Sequence, residues 1–211
     1  YIDGMINNKL VNDDIVCPLM NYRFPEEKGD RMELLLRHVV FADSTEKSDE
    51  VEKIVTSIVY GDTVLLAEGS SEALLMNTKG YNTRSIEEPE GERVLSGPRE
   101  GFNESLLVNL SMLRRKLHTP DLKMTFRIFG KRTRTKACIC YLDSLVDRNV
   151  LETLQKRLDD INIDGTLDTE YLAELISDRP CYGIDTIGST ERPDIVAAKL
   201  LEGRVAILLD G

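Results

Sequence analysis

Hydrophobic positions along this chain switch between a helical period and a strand period, and the changeovers mark its elements. Val51, Ile54, Val55, Ile58 and Val59 recur at i, i+3, i+4, i+7 and i+8, the stripe of an amphipathic helix. Gly61 follows as its C-terminal cap. Residues 63–67 and 73–77 then read as strands on either side of a turn at 68–71. Upstream, residues 5–20 are weakly helical around Leu10, Val11, Ile15 and Val16, and Pro18 and Pro25 bracket a loop. Asp30 caps a short helix with Met32, Leu35, Leu36 and Val39 on one face. The polar run 44–50 reads as solvated.

The second half repeats the grammar. Residues 103–118 predict a helix with Leu106, Leu110, Leu113 and Leu117 on its buried side and Arg114, Arg115 and Lys116 in its last turn, where cations suit the dipole. Residues 122–128 alternate, which predicts Leu122, Met124, Phe126 and Ile128 facing in and Lys123 and Arg127 facing out. A basic hairpin loop at 130–136 leads to residues 137–142, apolar on both faces as a central strand is. Helices at 148–160 and 168–177 come next, the second capped by Asp168. A last helix opens at Pro193 and closes at Gly203, before a buried strand at 205–209.

Charge divides the chain where the pattern does. Residues 1–97 carry 10 basic and 19 acidic side chains, and residues 98–211 carry 17 and 18. The contrast predicts a boundary near residue 97, and a net charge of −10 argues against general nucleic-acid binding. Cys17, Cys138, Cys140 and Cys181 form no CxxC and read as buried, reduced thiols. Apolar runs fall far short of the roughly twenty residues that span a bilayer.

The two halves echo one another. Tyr1-Ile2-Asp3-Gly4-Met5-Ile6 matches Tyr141-Leu142-Asp143-Ser144-Leu145-Val146 in type. Ile58-Val59-x-Gly61 followed by Leu65-Leu66-x-Glu68-Gly69 matches Leu200-Leu201-x-Gly203 followed by Ile207-Leu208-x-Asp210-Gly211. Nearly equal offsets predict an internal duplication. Because each copy holds elements the other lacks, the expectation is a fragment of a longer protein.

Few side chains promise chemistry. Asp160-x-Asn162-x-Asp164-Gly165-Thr166-x-Asp168 resembles a calcium-binding loop, yet the twelfth position, which needs a bidentate Glu, is Tyr171; an Asp-Gly turn with an N-cap competes. The stretch from Gly97 to Gly101 precedes a helix and could hold an anion, but it is neither a P-loop nor a dinucleotide fingerprint, and a turn with an Arg99/Glu100 domain clasp fits it as well. The basic run Arg114, Arg115, Lys116, Lys123, Arg127, Lys131, Arg132, Arg134, Lys136 admits a solvated face, a contact for an acidic subunit or half, or a contact for anionic lipid. Neither His38 nor His118 sits in a nucleophile or HExxH context. No metal site, cofactor or enzymatic role is expected.

Taken together, SGPREGFNESLLVNLSMLRRKL, FRIFGKRTRTKACICYLDSL, INIDGTLDTEYLAELI and TERPDIVAAKLLEGRVAILLDG resemble the A subunit of GerA-type spore germinant receptors. The resemblance implies a hydrophilic region of two α/β subdomains ahead of an integral membrane domain. It also implies a place in the inner membrane of the spore, with this region on the spore-core side. Implied partners are a transporter-like B subunit, a lipoprotein C subunit and further copies of the A subunit, in an assembly that senses nutrients and triggers ion release.

The expected fold is thus two small related α/β subdomains, each a mixed sheet flanked by helices: residues 1–85 and 97–211, joined by an acidic linker at 86–96. The expected role is assembly and transmission of the germination signal. Candidate contacts are Arg99, Glu100 and Phe102 at the domain junction and Arg132, Arg134 and Lys136 on the basic loop. The competing expectation is a small-ligand module with its site in a cleft between the subdomains.

Overall fold

A computed structural model describes residues 1–23, 31–42, 44–80, 100–166, 168–177 and 187–210. The chain divides into two compact units, residues 1–82 with 118–120, and residues 83–117 with 121–211. The expected linker at 86–96, the cap at Asp30, Arg99 and Cys181 lie outside the described residues.

In the first unit the N-terminal helical stretch runs through α1 (Asn8–Val11), a π-helical turn (Asn12–Val16) and α2 (Cys17–Asn21). It begins where the Asn7 side chain accepts the N–H groups of Lys9 and Leu10. Helix α3 (Arg31–His38) places Met32 and Leu35, with Val39 just beyond it, against Leu74. Strands β1 (Thr45–Ser48), β2 (Thr63–Leu66) and β3 (Ala73–Met76) form one antiparallel sheet in the order β1-β3-β2, with α4 (Val51–Tyr60) between β1 and β2. All four residues of β3 are buried, as suits a central strand.

The run 44–50 keeps most of its side chains at least half-exposed, as expected, yet it contains strand β1. Thr45, Glu46, Lys47 and Ser48 pair with Met76, Leu75, Leu74 and Ala73. Nothing in their side chains announces a strand; backbone bonds to β3 make one, and on an edge polar side chains are what keep other strands from adding.

The second unit holds α5 (Leu106–Lys116), β4 (Leu122–Phe129), β5 (Thr135–Leu142), α6 (Arg148–Asp159), α7 (Thr169–Ile176), α8 (Pro193–Leu201) and β6 (Ala206–Leu209). The sheet order is β4-β5-β6, with Met124 opposite Cys140 and Cys138 opposite Leu208. One face carries Cys138, Cys140 and Leu142 against Leu110, Leu113 and Leu200; the other carries Ala137 and Ile139 against Leu151, Leu158 and Leu172. Each fully buried leucine contributes about 2 kcal/mol of transfer free energy, so β5 anchors two cores at once. Both sheets are antiparallel among the described residues, where a mixed sheet was expected. Direction is set by which strands meet in space, which periodicity does not encode.

Strand β4 departs from its expected facing. Leu122 is buried, but Phe126 and Ile128 are 60% and 55% exposed. They share a face with Leu122 and Met124, yet the cluster built by α5 and α8 includes only those two from β4. Alternation says which residues share a face, not how far the covering helices reach along it.

The duplication acquires a physical basis. Gly61 ends α4 at φ +99°, and a Cβ there lies 3.1 Å from the Met5 carbonyl oxygen. Gly203 follows α8 at φ +83°, and a Cβ there lies 2.6 Å from the Leu145 carbonyl oxygen. Met5 and Leu145 are matched positions of the repeat, as are the two glycines. Each carbonyl belongs to a turn closed alike: Met5 N–H donates to Ile2 C=O at 3.2 Å, and Leu145 N–H to Leu142 C=O at 3.1 Å. Both copies thus need glycine for its left-handed conformation and for the close approach of a second backbone.

Candidate interaction site

The two groups of candidate residues sit in different settings. Glu100 lies beside the C-terminal turn of α5, where its carboxylate oxygens reach Arg115 at 3.4 Å and Lys116 at 3.1 Å. All three side chains keep part of their surface in water, so these pairs are worth little individually. Phe102 N–H donates to the Glu191 carbonyl at 2.8 Å, and its ring packs on the α5/α8 core. Just beyond, Asn103 and Asn109 hydrogen bond to one another, and the Asp210 carboxylate accepts the Leu106 N–H at 3.0 Å. A residue 104 positions away thus serves an orphan amide at the start of α5. The stretch 100–106 is fastened to α5, to Glu191 and to Asp210, all within the second unit.

The second group crowns the β4–β5 hairpin. Lys131, Arg132, Arg134 and Lys136 are all exposed, with no acidic residue among 130–136. Arg134 has φ +51°, the one non-glycine residue at positive φ among the described residues. For a side chain of this size the left-handed region costs about 1 kcal/mol. Its N–H donates to the Gly130 carbonyl at 3.1 Å.

The hairpin is strapped to the loop between α6 and α7. Lys131 N–H donates to the Ile163 carbonyl at 3.0 Å, and Arg132 and Thr133 N–H groups donate to the Asp164 carbonyl at 2.8 and 3.3 Å. Thr133 Oγ1 accepts the Thr166 N–H, and Thr135 Oγ1 donates to the Thr166 carbonyl at 2.7 Å. Packing is close enough that a Cβ on Gly130 falls 2.9 Å from Gly165 Cα, and one on Gly165 falls 2.6 Å from Thr133 Cγ2. This accounts for the calcium-like spacing of residues 160–168. The Asp-Gly turn brings carbonyls to the hairpin amides, and Asp168 caps α7 by accepting the Tyr171 N–H at 2.7 Å. Among the described residues no three His, Cys, Asp or Glu groups gather as metal ligands.

Beside the hairpin lies a groove of about 440 Å³ between β4 and the end of α6. Its apolar lining is Ile128, Phe129, Leu158, Ile161 and Ile163, and its cations are Arg127, Lys131 and Arg134. Arg127 is paired with Asp159 at 2.8 Å and Arg132 with Asp164 at 3.6 Å. Lys131 and Arg134 have no ion-pair partner among the described residues. In the sequence these cations form one run, whereas the apolar floor drawn from α6 and its following loop has no local signal.

Cys17 is exposed, where a buried thiol was expected, because it sits on the solvent side of the N-terminal helical stretch. Cys138 and Cys140 are fully buried with their sulfurs 3.9 Å apart on one face of β5. Contact with the Cys138 thiol, followed by burial, pushes Cys140 well above the usual thiol range and keeps it protonated.

Fold and surface together define a two-unit α/β module whose distinctive feature is a braced, cationic hairpin. The comparisons then name the family. The family described as Bacillus/Clostridium GerA spore germination protein matches residues 1–211, and the chain belongs to it. It is 37% identical over 212 residues to spore germination protein B1 of Bacillus subtilis, covering all of this chain and 43% of that protein. It is 33% identical over 211 residues to spore germination protein KA of the same species, again over all of this chain and 39% of that one. The chain spans about two-fifths of the length of these curated relatives. Among solved structures, the N-terminal domain of the A subunit of the Bacillus megaterium spore germinant receptor GerK3 superposes with a TM-score of 0.73 at 30% identity, over all of this chain and 77% of that one.

Proposed function

We propose that this chain is the N-terminal domain of a germinant receptor A subunit and that it serves assembly of the receptor and transmission of the nutrient signal. The observation that carries this is the match over its whole length to the corresponding domain of the GerK3 A subunit. On this reading its partners are a transporter-like B subunit, a lipoprotein C subunit and other A subunits, and its place is the inner membrane of the spore, facing the core. Among the described residues no helix is long and apolar enough to cross a membrane. Contacts are assigned to Arg99, Glu100 and Phe102 and to the hairpin cations Arg132, Arg134 and Lys136. Exposure together with the brace supports a surface role for the hairpin: four cations are held in a defined geometry rather than left on a free loop.

The test is a receptor carrying Arg132→Glu and Arg134→Glu, scored in spores for receptor level in the membrane fraction and for germination rate on nutrient. Loss of receptor or of the nutrient response is expected, with a normal response to a germinant that bypasses receptors. Unchanged level and rate would remove the hairpin from the function.

A further inference from the structure

We propose that the groove beside the β4–β5 hairpin is a docking site for an extended, acidic segment of a partner protein, with one or two aliphatic side chains seated on its floor. The idea deepens the assembly role above and rests on it. Four observations carry it. The floor is apolar and partly open, with Ile161 and Ile163 half-buried beside Phe129 and Leu158, which rewards an aliphatic side chain. The rim is cationic: Arg127 already answers Asp159 and Arg132 answers Asp164, whereas Lys131 and Arg134 await anions. Arg134 also holds a backbone conformation that glycine would adopt without strain, and the usual meaning of such a misfit is that the side chain is needed. Among the described residues β4 is an edge of its sheet, which offers main-chain groups to an added strand. Charge complementarity selects the occupant: carboxylates for Lys131 and Arg134, in a segment narrow enough to lie between β4 and the loop after α6.

The probe is a peptide with the sequence of residues 85–92, SIEEPEGE, which offers four carboxylates and one isoleucine, titrated into the 211-residue chain by NMR or fluorescence anisotropy. Saturable binding that shifts residues 127–134 and 158–163 is expected, weakening with salt and lost when the four Glu become Gln. Lys131→Glu and Arg134→Glu each weaken it by about fivefold or more. The decisive pair is Arg134→Gly and Arg134→Lys. Glycine raises the melting temperature and still weakens binding, while lysine keeps binding; a purely structural Arg134 cannot produce that split. No saturable binding, or binding indifferent to Arg134, overturns the groove. So does capture by anionic phospholipid vesicles that depends on Lys131 and Arg134 when the peptide does not bind, since the occupant is then a lipid surface. If the peptide fails yet the double charge reversal still abolishes germination, the groove falls and the assembly role stands. If the peptide binds as expected and that reversal leaves germination intact, the groove stands and the assembly role falls.

Discussion

The two sheets share a plan but treat their polar edges in opposite ways. Strand β1 is short and polar, and its neighbourhood settles its own charges: Lys47 lies 2.8 Å from Glu33 and 3.6 Å from Glu72, and Lys53 pairs with Glu46. Lys47 and Arg37 accordingly hold the Glu33 carboxyl below the usual carboxylate range. Strand β4 is twice as long, exposes Phe126 and Ile128, and runs into a hairpin whose Lys131 and Arg134 have no ion-pair partner among the described residues. An edge that neutralises itself resists company, whereas one that keeps apolar surface beside unanswered cations invites it.

The comparison can be pressed hardest at the glycines that make the two copies alike. Gly203→Ala places a Cβ 2.6 Å from the Leu145 carbonyl at a positive φ, with an expected loss of about 3 kcal/mol in urea unfolding. Gly61→Ala meets the Met5 carbonyl at 3.1 Å and should cost less, about 1.5 kcal/mol. Gly69, with nothing within 4 Å of its Cβ, should cost only the backbone strain, about 1 kcal/mol. Equal losses at all three would mean that the carbonyl contacts do not matter and that the repeat is one of sequence alone.

The brace of the hairpin is tested by a double-mutant cycle. Gly165→Ala collides with Thr133 Cγ2, and Thr133→Ala removes that atom, so the two changes together should cost about 1 kcal/mol less than their sum. Additive losses would show that the loop and hairpin are not packed as described. Arg134→Gly is expected to stabilise the chain by up to about 1 kcal/mol, the reverse of the usual glycine effect, because it relieves a left-handed arginine.

The smallest effect concerns pH. Arg192 holds the Asp194 carboxyl below the ordinary Asp range through a hydrogen bond, with a further contribution from the start of α8. A carboxyl depressed in the folded state contributes stability above its unfolded value and loses it as pH falls through the folded value. Asp194→Asn should therefore lower stability by about 0.5 kcal/mol at neutral pH, with the two proteins converging in acid. A difference that persists below the folded-state titration would point to packing rather than charge.

Much of this protein follows from short stretches of chain. Helix α4 and its Gly61 cap, the leucine face of α5, the doubly buried β5 and the Asp168 cap are all written in spacing and local chemistry, because 3.6-residue and two-residue periods are imposed by the backbone itself. So is the repeat, whose glycines and carbonyl turns recur at matching positions. Other features rest on partners distant in sequence. Strand β1 exists because β3 lies beside it; Phe126 and Ile128 are exposed because the helical cover stops short; Leu106 is capped by Asp210; and the groove forms only when the loop after α6 is strapped to the hairpin. Local pattern determined which residues could be inside a helix, strand or turn. Only the tertiary structure decided which edges were answered and which were left open, because a hydrogen bond or ion pair between segments depends on where the chain returns, and no periodicity records that.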